Sequence, residues 1–251
     1  MLISHEYKFI FIKTGKVGGT SVEMALSRFM GPEDIITPLT WGDEKERYQR
    51  GYPTAQNFEQ ALRTLTPRQW PRWLRSSVGT RSGNPEKALR ATTRAPKRYW
   101  DHMPARAIRE RVGEEIWNSY YKFSIERNPW DKMVSRYFWD PKKRKAGLSF
   151  RDFILSGNGL KSNFDCYTVN GILGVDRLIR YDRLNEELGD VSRELGLPED
   201  VGETLRGLSA KGGYRKGRDV VSLYDDETRR IVEVFFAREI QLLGFEFEEC
   251  P

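Results

Sequence analysis

A run of nine residues, Lys13-Thr14-Gly15-Lys16-Val17-Gly18-Gly19-Thr20-Ser21, separates two stretches of different periodicity. Ahead of it, Tyr7-Lys8-Phe9-Ile10-Phe11-Ile12 is apolar and rich in aromatic and β-branched side chains, which suits a buried strand. Behind it, Val22, Leu26 and Phe29 recur at helical spacing, and Gly31-Pro32 ends the segment. A strand, a glycine-containing loop and a helix in that order point backbone N–H groups at an anion. Gly18 and Gly19 let the backbone approach a ligand, Lys16 adds a mobile charge, and Thr20 and Ser21 add hydroxyls at the helix start. The run therefore reads as a cradle for phosphate or sulfate, and an ordinary Gly-rich turn is the plainer alternative. It does not follow the nucleotide-triphosphatase pattern G-x-x-x-x-G-K-[ST]. Its lysine precedes the glycine pair, which argues against a Mg-nucleotide hydrolase.

At 251 residues the chain has room for one α/β domain with decorations and a substantial core. Its formal charge is +6, unevenly spread. Between Arg63 and Arg111 stand thirteen Lys/Arg and three Asp/Glu, a local +10 that suits an anionic partner or, equally, a solvated basic face. Two cysteines, Cys166 and Cys250, make neither a disulfide framework nor a cysteine-based zinc site. Two histidines, His5 and His102, build no multi-histidine metal centre. Met1-Leu2-Ile3 runs at once into Ser4-His5-Glu6, without a signal peptide's apolar core, and no apolar run approaches a bilayer-spanning length. A soluble, cytoplasmic protein is expected.

Further along, residues 34–39 read as a short strand or an extended loop. Residues 40–100 are the least regular part: Trp41, Trp70, Trp73 and Trp100 alternate with Arg, Pro and Gly. Short helices are expected at 55–65 and 67–75, in what reads as an insertion serving as lid or acceptor-binding segment. A helix over 104–112 is opened by Pro104 and closed by Gly113. Residues 120–126 form a second buried strand, followed by a helix from Trp130 to about Trp139. Shorter signals give a helix at 150–155, a strand at 177–181, a helix near 184–195 and an amphipathic helix over 225–243. Strands separated by helices imply an α/β three-layer sandwich, a central parallel sheet with helices on both faces, as a single domain over 1–251.

The second strand repeats the logic of the first. Arg127 stands at its carboxyl end, Asn128-Pro129 tightens the turn, and Ser135 follows about two turns into the helix. In doubly wound sheets ligands sit beyond the carboxyl ends of strands, where Lys16 and Arg127 both fall. Arg127 offers a planar fork for a second phosphate and Ser135 a hydroxyl. An arginine paired with Glu126 or Asp131 is the competing reading.

Taken together, Lys16-Val17-Gly18-Gly19-Thr20-Ser21 resembles the 5′-phosphosulfate loop of sulfotransferases that use 3′-phosphoadenosine 5′-phosphosulfate (PAPS). Arg127-Asn128-Pro129 with Ser135 and Tyr137 is similar to their 3′-phosphate motif, R-[ND]-P-x-x-R-x-x-S-x-Y. Arg180-Tyr181-Asp182-Arg183-Leu184 is similar to the later R-Y-E-x-L element, and the end of the chain through Gly244-Phe245-Glu246-Phe247 matches the family's usual close. Lys132 stands where arginine is common, Asp182 replaces glutamate, and Lys13-Thr14-Gly15 replaces a frequent Ile-Pro. Residues 40–100 lie outside the likeness.

The resemblance implies a P-loop-like sulfotransferase fold and transfer of a sulfuryl group from PAPS to a hydroxyl acceptor, a carbohydrate or glycolipid among them. It implies adenosine 3′,5′-bisphosphate as product and no metal. Lys16 would face the leaving phosphate oxygen, with Val17, Gly18, Gly19, Thr20 and Ser21 around the 5′ group and Arg127 and Ser135 on the 3′-phosphate. Lys211-Gly212-Gly213-Tyr214-Arg215-Lys216-Gly217-Arg218 resembles a basic loop closing over the cofactor, with Tyr214 near adenine and Arg215 or Arg218 at the 3′-phosphate, or else is a surface loop. A general base is needed for the acceptor hydroxyl. His102 is the expected one, since imidazole titrates near neutral pH; Glu23, Asp101 and Glu126 are the fallback bases, and His5 reads as surface. Against this stand a nucleotide-dependent kinase with an altered loop and a nucleic-acid-binding module using the 63–111 patch. The latter leaves both strand-end anion sites unexplained, so no nucleic acid is expected as partner.

Overall fold

A computed structural model describes the chain apart from residues 61–65, 72–73, 77–83, 93, 140–146, 158, 208–218 and 251. The apolar run before the Lys16 loop forms a strand, but it is not the first. β1 (Leu2–Ser4) precedes it and pairs antiparallel with β2 (Phe9–Ile12), Leu2 opposite Phe11 and Ser4 opposite Phe9. The connection between them is so short, with Lys8 at φ 51°, that only an antiparallel pair can be made. The loop then enters α1 (Gly19–Ser27), after which β3 (Ile35–Ile36) adds to the far side of β1, also antiparallel.

Next come α2 (Trp41–Gln49), α3 (Pro85–Thr92), α4 (Ala105–Val112) and α5 (Glu114–Ser119). β4 (Tyr121–Glu126) leads into α6 (Pro129–Trp139), followed by α7 (Phe150–Leu155) and α8 (Phe164–Tyr167). A small separate hairpin, β5 (Thr168–Val169) with β6 (Ile172–Leu173), precedes β7 (Arg177–Arg180). Four α-helices follow: α9 (Leu184–Glu194), α10 (Val201–Gly207), α11 (Asp226–Phe235) and α12 (Ala237–Leu243).

The main sheet has five strands in the order β3-β1-β2-β4-β7. β2, β4 and β7 are parallel, as the intervening helices require, whereas β1 and β3 make the sheet mixed rather than wholly parallel. Side chains of β2 alternate between faces. Phe9 and Phe11 pack with Phe123, Val22, Leu26 and Leu188 on one side, while Ile10 and Ile12 pack with Met103, Ile108 and Tyr167 on the other. A third cluster joins α6, α7 and α11 through Trp130, Met133, Phe153, Val232 and Phe236.

Two expected helices differ. Residues 55–60 are not helical: Gln56 bridges Ile36 and Glu59 bridges Lys97, because Gln56 hydrogen-bonds back to the edge of β3. The amphipathic helix over 225–243 breaks at Phe236, whose ring is fully buried and whose backbone leaves helical geometry at ψ 22°. Within the stretch read as irregular, Thr40 accepts from the Asp43 N–H and caps α2, a T-x-x-D start signal.

Candidate functional site

Because β2 and β4 are adjacent and parallel, their carboxyl ends deliver the Lys16 loop and Arg127 to the same edge of the sheet. The loop is held from both sides. Thr14 donates its hydroxyl to the Ile125 carbonyl. Asn163 accepts from the Gly15 N–H and donates to the Gly15 carbonyl, each at 3.1 Å. Lys16 and Gly18 have φ of 68° and 71°, and Gly18 meets the start of α1 with no side-chain cap. The first turn of α1 is thus left without a side-chain cap, its Ser21 N–H donating to the Gly18 carbonyl at 3.0 Å.

Gly19 lies so close to Lys13 that a Cβ there would sit 2.8 Å from the Lys13 Cγ. Lys13 itself is buried and donates to Glu23 at 2.8 Å, with Asp101 at 3.1 Å. Burial lowers the Lys13 pKa, against the attraction of Asp101.

Arg127 is nearly buried. Its Nε pairs with Asp131, its Nη1 reaches the Lys16 carbonyl at 3.2 Å, and its guanidinium lies over the Tyr181 ring at 4.3 Å. The pairing with Asp131 is thus present, and the Arg127 side chain still lines the cleft beside Ser135. Tyr181 also touches the loop, 3.1 Å from where a Gly18 Cβ would be. Lys132, below, is fully buried and donates to Glu126 at 2.9 Å.

Both strand ends face one cleft of about 890 Å³, lined by the Lys16 loop, Arg127, Ser135, Arg136, Trp139 and His102 among others. Lys16 places its amine 4.8 Å from the centre of the Trp139 ring. His102, at φ 56°, turns its Nδ1 to the Lys13 carbonyl at 3.2 Å and its Nε2 toward Asp101 at 3.4 Å. A carbonyl only accepts, so the Lys13 contact calls for a proton on Nδ1, while a proton taken up on Nε2 would face the Asp101 carboxylate. Burial lowers the His102 pKa, partly offset by Asp101. Burial would push the Asp101 carboxyl up, but Lys13, the Met1 amine and His102 outweigh it and hold it below the ordinary carboxylate range.

The fallback carboxylates are placed differently. Glu23 is buried against Lys13 and the Met1 amine. Glu126 accepts from Lys132, the Arg127 N–H and Asn163, and lies behind the loop instead of facing the cleft. Asp101 does line it. His5 is half-buried, with its Nδ1 2.7 Å from the Tyr120 hydroxyl. Tyr214, Arg215 and Arg218 lie outside the described residues.

Four contributors come from outside the sequence motifs or from their unremarked positions: Asn163, Arg136, Trp139 and Asp43. Arg136 and Trp139 were legible only as cleft-facing positions of α6; nothing local marks Asn163. Thr40 and Asp43 at the root of the 40–100 stretch, and Asp101 and His102 just past its end, all line the cleft, so that stretch leaves and returns at the site. Within the basic patch, Arg106 pairs with Glu110 and Arg109 with Glu114 at the surface. Among the described residues no group of three or more His, Cys, Asp or Glu is placed to hold a metal, and no helix is long and apolar enough to cross a membrane.

No family model matches the chain, and no solved structure matches it. An uncharacterized protein from Archaeoglobus fulgidus is 38% identical over 119 residues, a stretch that covers 45% of this chain and 98% of the archaeal protein. The chain belongs to one family with that archaeal protein.

Proposed function

We propose that the protein is a PAPS-dependent sulfotransferase acting on a hydroxyl acceptor. The observation that carries this reading is the meeting of two separate strand-end anion sites, the Lys16 loop and Arg127 with Ser135, on the walls of one cleft that also holds His102. PAPS has a charged group at each end and adenosine between, and a two-ended cationic clamp is what such a molecule requires. The cleft lies within the roughly 300–1,000 Å³ range of small-molecule sites.

The donor supplies an activated sulfuryl group. His102 Nε2 takes the proton of the acceptor hydroxyl as its oxygen bonds to sulfur, and Asp101 then stabilises the imidazolium. The bond that breaks joins sulfur to the bridging oxygen of the 5′-phosphate, and negative charge collects there. Lys16 and the N–H groups at the start of α1 are the donors for that charge, stronger in the transition state than in the ground state. Arg127 and Ser135 hold the 3′-phosphate and so fix the donor's register along the cleft. Acceptors of carbohydrate type suit the exposed Trp139 face, which is 58% accessible and can stack on a sugar ring.

Calorimetry with adenosine 3′,5′-bisphosphate against ATP with Mg tests the assignment. Tight binding of the bisphosphate and weak binding of ATP are expected. The reverse order would replace this reading with a nucleotide-dependent kinase.

A further inference from the structure

α6 presents two rows to the site. Arg127 pairs with Asp131, and Ser135 stands one turn further along the same row. The neighbouring row is Lys132 and Arg136, with Trp139 three residues on. Lys132 binds Glu126, Glu126 accepts from Asn163, and Asn163 brackets Gly15, so this second row lies beneath the loop rather than beside Arg127. Residues 135 and 136 diverge by about 100° around a helix, so their side chains serve different parts of the cleft.

Arg136 is unusual among the charged groups here. Lys13, Arg127, Lys132 and Arg180 each have a carboxylate partner. Arg136 has a buried Nε with no hydrogen-bond partner, and among the described residues no carboxylate pairs with it. Its Nη2 sits 3.8 Å from where a Gly15 Cβ would be, and the side chain lines the cleft. Withdrawing a guanidinium from water is costly, and burial lowers its pKa against the attraction of Glu126, whose carboxylate is paired with Lys132. His102 contacts the same loop two residues earlier, at Lys13. His102 and Arg136 therefore flank one short stretch of the loop, Lys13 to Gly15.

We infer that Arg136 is the binding residue for the sulfonate oxygens of the donor, a third anion subsite beyond those for the two phosphates. Its planar fork meets two oxygens of one sulfonate at once, which a lysine cannot do. This rests on the sulfotransferase reading above.

Calorimetry at low temperature without acceptor compares PAPS with adenosine 3′,5′-bisphosphate, which lacks the sulfonate. The wild-type protein and the variants R136Q and R136K are measured. The expected result is a loss of about tenfold or more in PAPS affinity for R136Q, a smaller loss for R136K, and bisphosphate affinity unchanged in both. Unchanged bisphosphate binding also reports an intact fold. Equal loss for both nucleotides assigns Arg136 to a phosphate or to the scaffold and overturns the proposal. No loss for either overturns it too, as does intact donor binding with a raised acceptor KM, which moves Arg136 to the acceptor. Failure of the wild-type protein to bind either nucleotide sinks the sulfotransferase reading itself, and is distinct from all of these.

Discussion

His102 is the residue whose behaviour is most closely determined by its neighbours. The Lys13 carbonyl lies against its Nδ1, burial lowers its pKa, and Asp101 opposes that lowering. The base form is the neutral ring, so the signs follow directly. With its pKa below the ordinary value, His102 keeps its neutral form to lower pH than a free imidazole, and kcat/KM should fall only as pH drops through that lowered pKa. D101N removes the attraction that raises it, so the acid limb of the profile should move to still lower pH, while H102A should keep bisphosphate binding and lose turnover. A limb that stays put in D101N, or shifts upward, would remove His102 from the role of base and leave Asp101 as the cleft-lining carboxylate to test.

At the scale of elements, the loop into α1 is a packing solution as much as a binding one. Gly18 needs a positive φ, and Gly19 needs the absence of a Cβ beside Lys13, whose amine is tied to Glu23 and Asp101 and cannot yield. G19A should therefore cost about 1–3 kcal/mol by overpacking, and G18A about 1–2 kcal/mol through the left-handed backbone. Denaturant unfolding measures both, and a G19A protein as stable as wild type would mean that Lys13 is not locked in place. These two glycines also show what was legible in the sequence. Contiguous features were: the β2 and β4 strands announce themselves by Phe and Ile runs, and Lys16 and Arg127 each sit at a strand end. β1 and β3 are too short for a period of two to register, which is why a wholly parallel sheet was expected. The break at Phe236 was hidden because the apolar spacing runs on through it. Asn163 joined the site from 148 residues beyond Gly15, by a pairing that no local pattern encodes.

At the scale of the molecule, β4, α6 and the segment around α8 are joined by one buried polar knot. Lys132 donates to Glu126, which also accepts from the Arg127 N–H, from Asn163 and from the Tyr167 hydroxyl at 3.3 Å. Both members of the ion pair are fully buried, and the Lys132 amine rests 4.6 Å from the centre of the Phe236 ring at the α11–α12 break. The knot thus connects the sheet edge, the helix carrying Ser135 and Arg136, and the C-terminal helices. Removing one charge strands the other. K132M should cost about 3–5 kcal/mol, because Glu126 is left charged in a dry site. E126Q alone strands Lys132 in the same way, whereas the double variant K132M/E126Q buries no uncompensated charge and should recover a large part of the loss. Chemical denaturation of the four proteins gives the coupling. Additive losses would show that the two charges act independently, and that the loop, held to Glu126 through Asn163, does not depend on this pair. A strong coupling would instead place the stability of the anion site in the same interaction that ties the sheet to α6.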